Sequence, residues 1–143
     1  MALRGSRLRS PSTPSETMSI DFSRDTDGVP VARASRADWQ ALSGLLTSDV
    51  GSIDNASELL ALLRRAAESG ASVKETGNAF TVLSKGATSV VEFAIDESIR
   101  PVHLSTRDLS ALLAAWISFL QSGSPRAWHG GDGSPQIEVR PPQ

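Results

Sequence analysis

The apolar residues of this chain change their period partway along it. Spacing is helical up to Gly70, alternates every second residue between Phe80 and Ile95, and becomes helical again from Leu109. A chain with that switch must make helices and a strand pair share one core, which is an α+β arrangement. Trp39, Leu42, Leu45 and Leu46 predict a short amphipathic helix over 36–47, begun by the S-x-x-D signal at Ser35 and weakened by Gly44. Asn55 with Glu58 gives a second start signal. Leu59, Leu60, Leu62, Leu63, Ala66 and Ala67 then predict a helix over 56–69, closed at Gly70.

From Phe80 to Leu83 and from Thr88 to Ile95 the residues are β-branched or aromatic, and Lys85-Gly86 joins them as a hairpin over about 79–95. Phe80, Val82, Val91, Phe93 and Ile95 are assigned to the core face, with Thr81, Ser89 and Glu92 facing away. Val73 and the run Val102-His103-Leu104 offer two further short strands. Ser105, with Asp108 three residues on, caps a third helix. Leu109, Leu112, Leu113, Trp116 and Leu120 form its stripe and Gly123 ends it. The expected core is Trp39, Leu42, Leu59, Leu62, Leu63, Phe80, Val82, Val91, Phe93, Leu109, Leu112, Trp116 and Leu120. The expected fold is a small antiparallel sheet with about three helices packed on one face.

Both ends differ in kind. Residues 1–17 hold Arg4, Arg7 and Arg9 and no acid before Glu16, without the apolar run of a secretory signal. They read as a disordered leader or an overlong start before Met18, with organelle targeting as the alternative. Residues 122–143 are rich in Gly, Pro and Ser and read as a disordered tail. The expected division is therefore a leader over 1–30, one domain over 31–121 and a tail over 122–143.

Composition excludes much chemistry. There is no Cys and no Tyr among the 143 residues, and the two histidines are His103 and His129. Thiolate metal sites, disulfides and cysteine nucleophiles are thereby ruled out, and no phosphate-binding glycine motif occurs. With 14 basic and 16 acidic residues the net charge is -2, which argues against nucleic acid as a partner. Residues 18–121 alone hold 9 basic and 13 acidic residues. No apolar run reaches the ~18 residues of a membrane span. His103 near Ser105, Ser110 and Asp108 supplies the residue types of a nucleophile–base pair, but no G-x-S-x-G turn frames them, and strand alternation points His103 to the surface. Glu92, Asp96 and Glu97 form an acidic group near the end of the second hairpin strand. It is either a solvated loop or an acidic docking edge for a basic partner, and carboxylate-pair catalysis lacks the aromatic cleft it needs. Asp49 and Asp54, between the first two helices, form a second acidic group.

The run GNAFTVLSKGATSVVEFAID followed by VHLSTRDLSALLAAWISFL, from Gly77 to Leu120, resembles small bacterial immunity proteins of polymorphic toxin systems. The shared pattern is a Gly-Asn hairpin with an acidic exit, then an L-S-x-x-x-L helix ending in a Trp-containing apolar segment. The resemblance implies a non-enzymatic, cytoplasmic protein that binds and blocks a cognate toxin domain without cofactor or metal. Twelve arginines to two lysines fit a high-GC bacterial source. Partner-binding candidates are Glu92, Asp96, Glu97, Asp49 and Asp54, with no catalytic residue expected. The alternative is an accessory domain that homodimerises through a free sheet edge; a small hydrolase ranks below both.

Overall fold

Alternation begins earlier than the hairpin. In the computed structural model, which describes residues 18–130 and 136–139, β1 (Met18–Arg24) and β2 (Pro30–Ala34) form an antiparallel pair that puts Ile20 and Phe22 into the core. A 3₁₀ turn (Ala37–Trp39), α1 (Gln40–Gly44) and a π-helical turn (Leu45–Asp49) follow. Next come α2 (Ile53–Ser69), β3 (Ser72–Thr76), β4 (Phe80–Lys85), β5 (Thr88–Phe93), β6 (Val102–Ser105) and α3 (Thr106–Ser122). β7 (Arg126–Gly130) and β8 (Gln136–Val139) complete the order.

The fold is α+β, with its strands in two antiparallel sheets, β2-β1-β7-β8 and β3-β4-β5-β6. The second holds the expected hairpin and both expected extra strands; the first was not expected, and its strands β1, β7 and β8 lie in segments assigned to the ends. Helices α1 and α3 each touch strands of both sheets, so one apolar cluster runs through the whole fold.

The domain is therefore wider than 31–121. Residues 18–30 are not leader: Ile20 and Phe22 sit across from Trp128 and Arg126 in the β1–β7 register. Nor is 122–130 tail, since Ala127 and Trp128 are fully buried. A lone apolar pair in each segment carries no periodicity by itself; each finds its partner at the other end of the chain. The leader assigned to residues 1–17 lies outside the described residues, as do 131–135 and 140–143 of the tail.

Helix boundaries follow the caps. The Ser105 hydroxyl accepts from the Asp108 N–H at 2.9 Å, and Gly70 and Gly123 end their helices in the left-handed region. The Ser35 signal is not used: Arg36 takes the cap position without a side-chain hydrogen bond, and its guanidinium pairs with Asp38 at 2.9 Å. Helix α2 begins at Ile53 rather than Ala56, because the Ser52 hydroxyl accepts from the Asn55 N–H at 3.2 Å. Gly44 answers to packing: a β-carbon there would run into the Phe80 ring.

Eleven of the thirteen expected core residues are buried or packed against the core, Phe93 and Leu120 only partly. Trp39 stays half-buried with the Arg36 guanidinium 5.3 Å from its ring centroid, and Leu62 is half-buried and faces a cleft. Ser89 does not face away. It shares a face with Val91, and its hydroxyl bridges those of Ser84 (2.6 Å) and Thr106 (2.8 Å) in a buried chain. Ile95 lies beyond β5 and is exposed.

Trp116 is buried at the meeting point of these elements. Its indole N–H donates to the Val50 carbonyl at 2.7 Å, and its ring meets Phe22 edge-on at 5.2 Å. Replacing it by Phe leaves that carbonyl unsatisfied and should lower stability by about 1–3 kcal/mol; Trp116→Ala should lose about 3–5 kcal/mol. Trp128→Ala should fall in the same range as Trp116→Ala, and a chain ending at Gly123 should lose its cooperative transition. Urea unfolding followed by tryptophan fluorescence and circular dichroism measures all four.

Candidate functional site

Helix α2 presents Asn55, Glu58, Leu62 and Arg65 on neighbouring turns, a spacing that lines them along one face. That face forms one wall of a cleft of about 520 Å³. The opposite wall is the end of β3 and its turn into β4, with Glu75, Thr76, Gly77 and Asn78. Leu45, Val50, Leu59, Phe80 and Val82 supply an apolar floor, and the charged lining is Asp49, Glu58 and Glu75 against Arg65. The cleft is amphipathic and acidic on balance.

Asp49 holds the two walls in register. At the end of the π-helical turn, its carboxylate accepts from the Phe80 N–H at 2.8 Å, the Ala79 N–H at 3.1 Å and the Ser48 hydroxyl at 3.0 Å. Gly77 must be small because a β-carbon there would lie 2.6 Å from an Asp49 carboxylate oxygen. Of the sequence candidates, Asp49 thus lines the cleft but is engaged by backbone donors, which makes it a positioning residue. Asp54 is exposed in the first turn of α2, outside the lining.

The other three acids lie apart from the cleft lining. Glu92 is half-buried on β5 opposite Thr81, on the sheet face turned away from the core. Asp96 and Glu97 are exposed in the loop beyond it. Asp96 accepts from the Ser98 N–H at 2.8 Å, and the hydrogen bonds from the Ser98 side chain and backbone hold its carboxyl below the ordinary aspartate range. His103 is exposed and lies opposite Val90, while the Ser105 hydroxyl is committed to its helix cap. Among the described residues, no group of three or more His, Asp or Glu could hold a metal ion, and no helix is long and apolar enough to cross a membrane.

Glu58, Glu75 and Arg65 carry the cleft, and the sequence hid them in other roles. Glu58 reads as a capping partner and Leu62 as core. The available signal was the i, i+4, i+7 line of Glu58, Leu62 and Arg65.

No family model matches the chain, and no curated protein or solved structure matches it either.

Removing the Asp49 acceptor should separate the cleft walls. Asp49→Ala should lose about 2 kcal/mol, in line with charged acceptors of backbone N–H groups, and Asp49→Asn less. Amide exchange at Ala79 and Phe80 should accelerate in Asp49→Ala, while that at Val91 keeps pace with global stability.

Proposed function

We propose that this domain is a non-enzymatic protein-binding module that inhibits a bacterial toxin in the cytoplasm, as its resemblance to immunity proteins implies. The cleft carries that reading. An apolar floor bordered by carboxylates suits a protein segment that brings apolar side chains and a positive charge together. Toxins that act on nucleic acid present such basic surfaces, and an acidic face both imitates phosphate and accelerates encounter. No cofactor or metal is needed for that role. The commitment of the Ser105 hydroxyl to a helix cap also counts against hydrolysis by a Ser/His pair.

The two acidic regions divide the work. Glu58 and Glu75 border the cleft and hold the bound partner, whereas exposed Asp96 and Glu97 contribute only to the long-range field. The second reading, homodimerisation, draws on the terminal positions of β3 and β6 in their sheet.

The decisive experiment is co-expression with the C-terminal domain of whatever large protein is encoded directly upstream. Growth should be restored, and the purified complex should contain one copy of each chain. Glu58→Lys with Glu75→Lys should raise the dissociation rate about tenfold or more. Asp96→Lys with Glu97→Lys should slow association and flatten its salt dependence, leaving dissociation unchanged. Absence of both protection and complex overturns the inhibitor reading. A chain that elutes alone as a stable dimer supports the homodimer instead.

A further inference from the structure

β3 ends its sheet in the order β3-β4-β5-β6, so one side of its backbone is turned away from β4. A strand in that position presents a row of N–H and C=O groups ready to pair with another chain. Charged side chains on an edge oppose indiscriminate pairing, and β3 carries Lys74 and Glu75.

Two hollows border this strand, one on each face of the sheet. Glu75 pairs with Val82 on the core-side face, and both line the cleft beside α2. Lys74 pairs with Leu83, which pairs with Val90 on the opposite face. These three line a shallower hollow of about 350 Å³, with Ser72, Lys85 and Thr88 around them. Leu83 and Val90 are half-buried there.

Side chains of an extended segment alternate between the two faces of a sheet. A strand laid along β3 would therefore send every second residue toward Glu58 and Glu75, and the residues between them over Ser72, Lys74 and Thr76 on the other face. The dimensions agree: the α2 wall from Asn55 to Arg65 runs about 15 Å, and five extended residues span about 16 Å. We infer that the partner enters as an extended segment pairing with the free edge of β3, basic side chains in the cleft alternating with β-branched ones over Ser72 and Lys74, at the rim of the second hollow. This rests on the protein-binding reading and names how the partner is held. Main-chain hydrogen bonds would supply affinity, and the two unlike hollows would supply direction and register.

The probe is an N-acetylated, C-amidated peptide, Val-Arg-Val-Arg-Val, added to the full chain labelled with nitrogen-15. Shifts are expected over Ser72–Thr76 and at Glu58, Leu62 and Arg65, with slowed amide exchange in β3. Two further peptides carry backbone N-methyl groups either on the arginines or on the valines. Because alternate amides of a strand point to the same edge, one should bind like the parent and the other about tenfold more weakly or worse. Val-Glu-Val-Glu-Val should bind about tenfold more weakly than the arginine peptide, and Glu58→Gln with Glu75→Gln should remove most of that difference.

Equal binding of the two methylated peptides overturns strand addition. So do shifts confined to β6, or none at concentrations on the order of 1 mM. Protection of β3 amides in the free protein, together with a dimeric mass, overturns it by showing that a second copy already closes the edge. If toxin protection is found while the methylation test fails, the inhibitor role stands and strand addition falls.

Discussion

The hydrogen bond from the Trp116 indole to the Val50 carbonyl joins parts of the chain that share no sheet. Val50 follows the π-helical turn, and that turn carries Asp49, whose carboxylate fixes the β3–β4 turn. On its other side Trp116 packs against Phe22 of β1 and, at 5.4 Å, Phe119 of its own helix. Buried aromatic pairs add specificity of angle to the area they remove from water. A single side chain therefore relates α3, the first sheet and the wall of the cleft. The cleft's geometry is a consequence of core packing before it is a property of its lining residues.

The middle of the chain was legible because its signals are local. Hairpin alternation, the Ser105 cap and the two closing glycines need no knowledge of distant residues, and each is realised in the fold. β1 and β7 were illegible for the opposite reason. Ile20 and Phe22, like Trp128, acquire meaning only when residues from the two ends meet, and polar neighbours dilute each pattern. The short helix over 36–47 was legible too: the chain is helical from Ala37 to Asp49 with Leu42, Leu45 and Leu46 buried, and what the periodicity did not announce is the uneven winding, from a 3₁₀ turn through α1 to a π-helical turn.

Acidic residues were easy to find in the sequence and hard to assign. Neither proximity in sequence nor exposure says whether a carboxylate is available. Asp49 looked like a free loop acid, yet it accepts from the backbone N–H groups of Ala79 and Phe80, some thirty residues away. Glu58 and Glu75 looked ordinary, yet tertiary structure sets them on opposite walls of one cleft. A helix stripe containing Glu, Leu and Arg is usually solvated surface; what distinguishes this one is the strand edge facing it, which no local pattern announces.

In the first sheet, β1 is paired on one side by β2, which follows it closely, and on the other by β7, with Met18 opposite Gly130. The strand next to the chain's beginning therefore waits for residues made roughly a hundred positions later, the kind of closure that slows folding. During synthesis, α1, α2 and the whole second sheet can emerge and pack while β1 still lacks its second partner. Until β7 leaves the ribosome, β1 has β2 as its one strand partner, and Phe22 has only the rings of Trp116 and Phe119 to close over it. The binding cleft is thus built from parts available early, and the seal on the domain comes last.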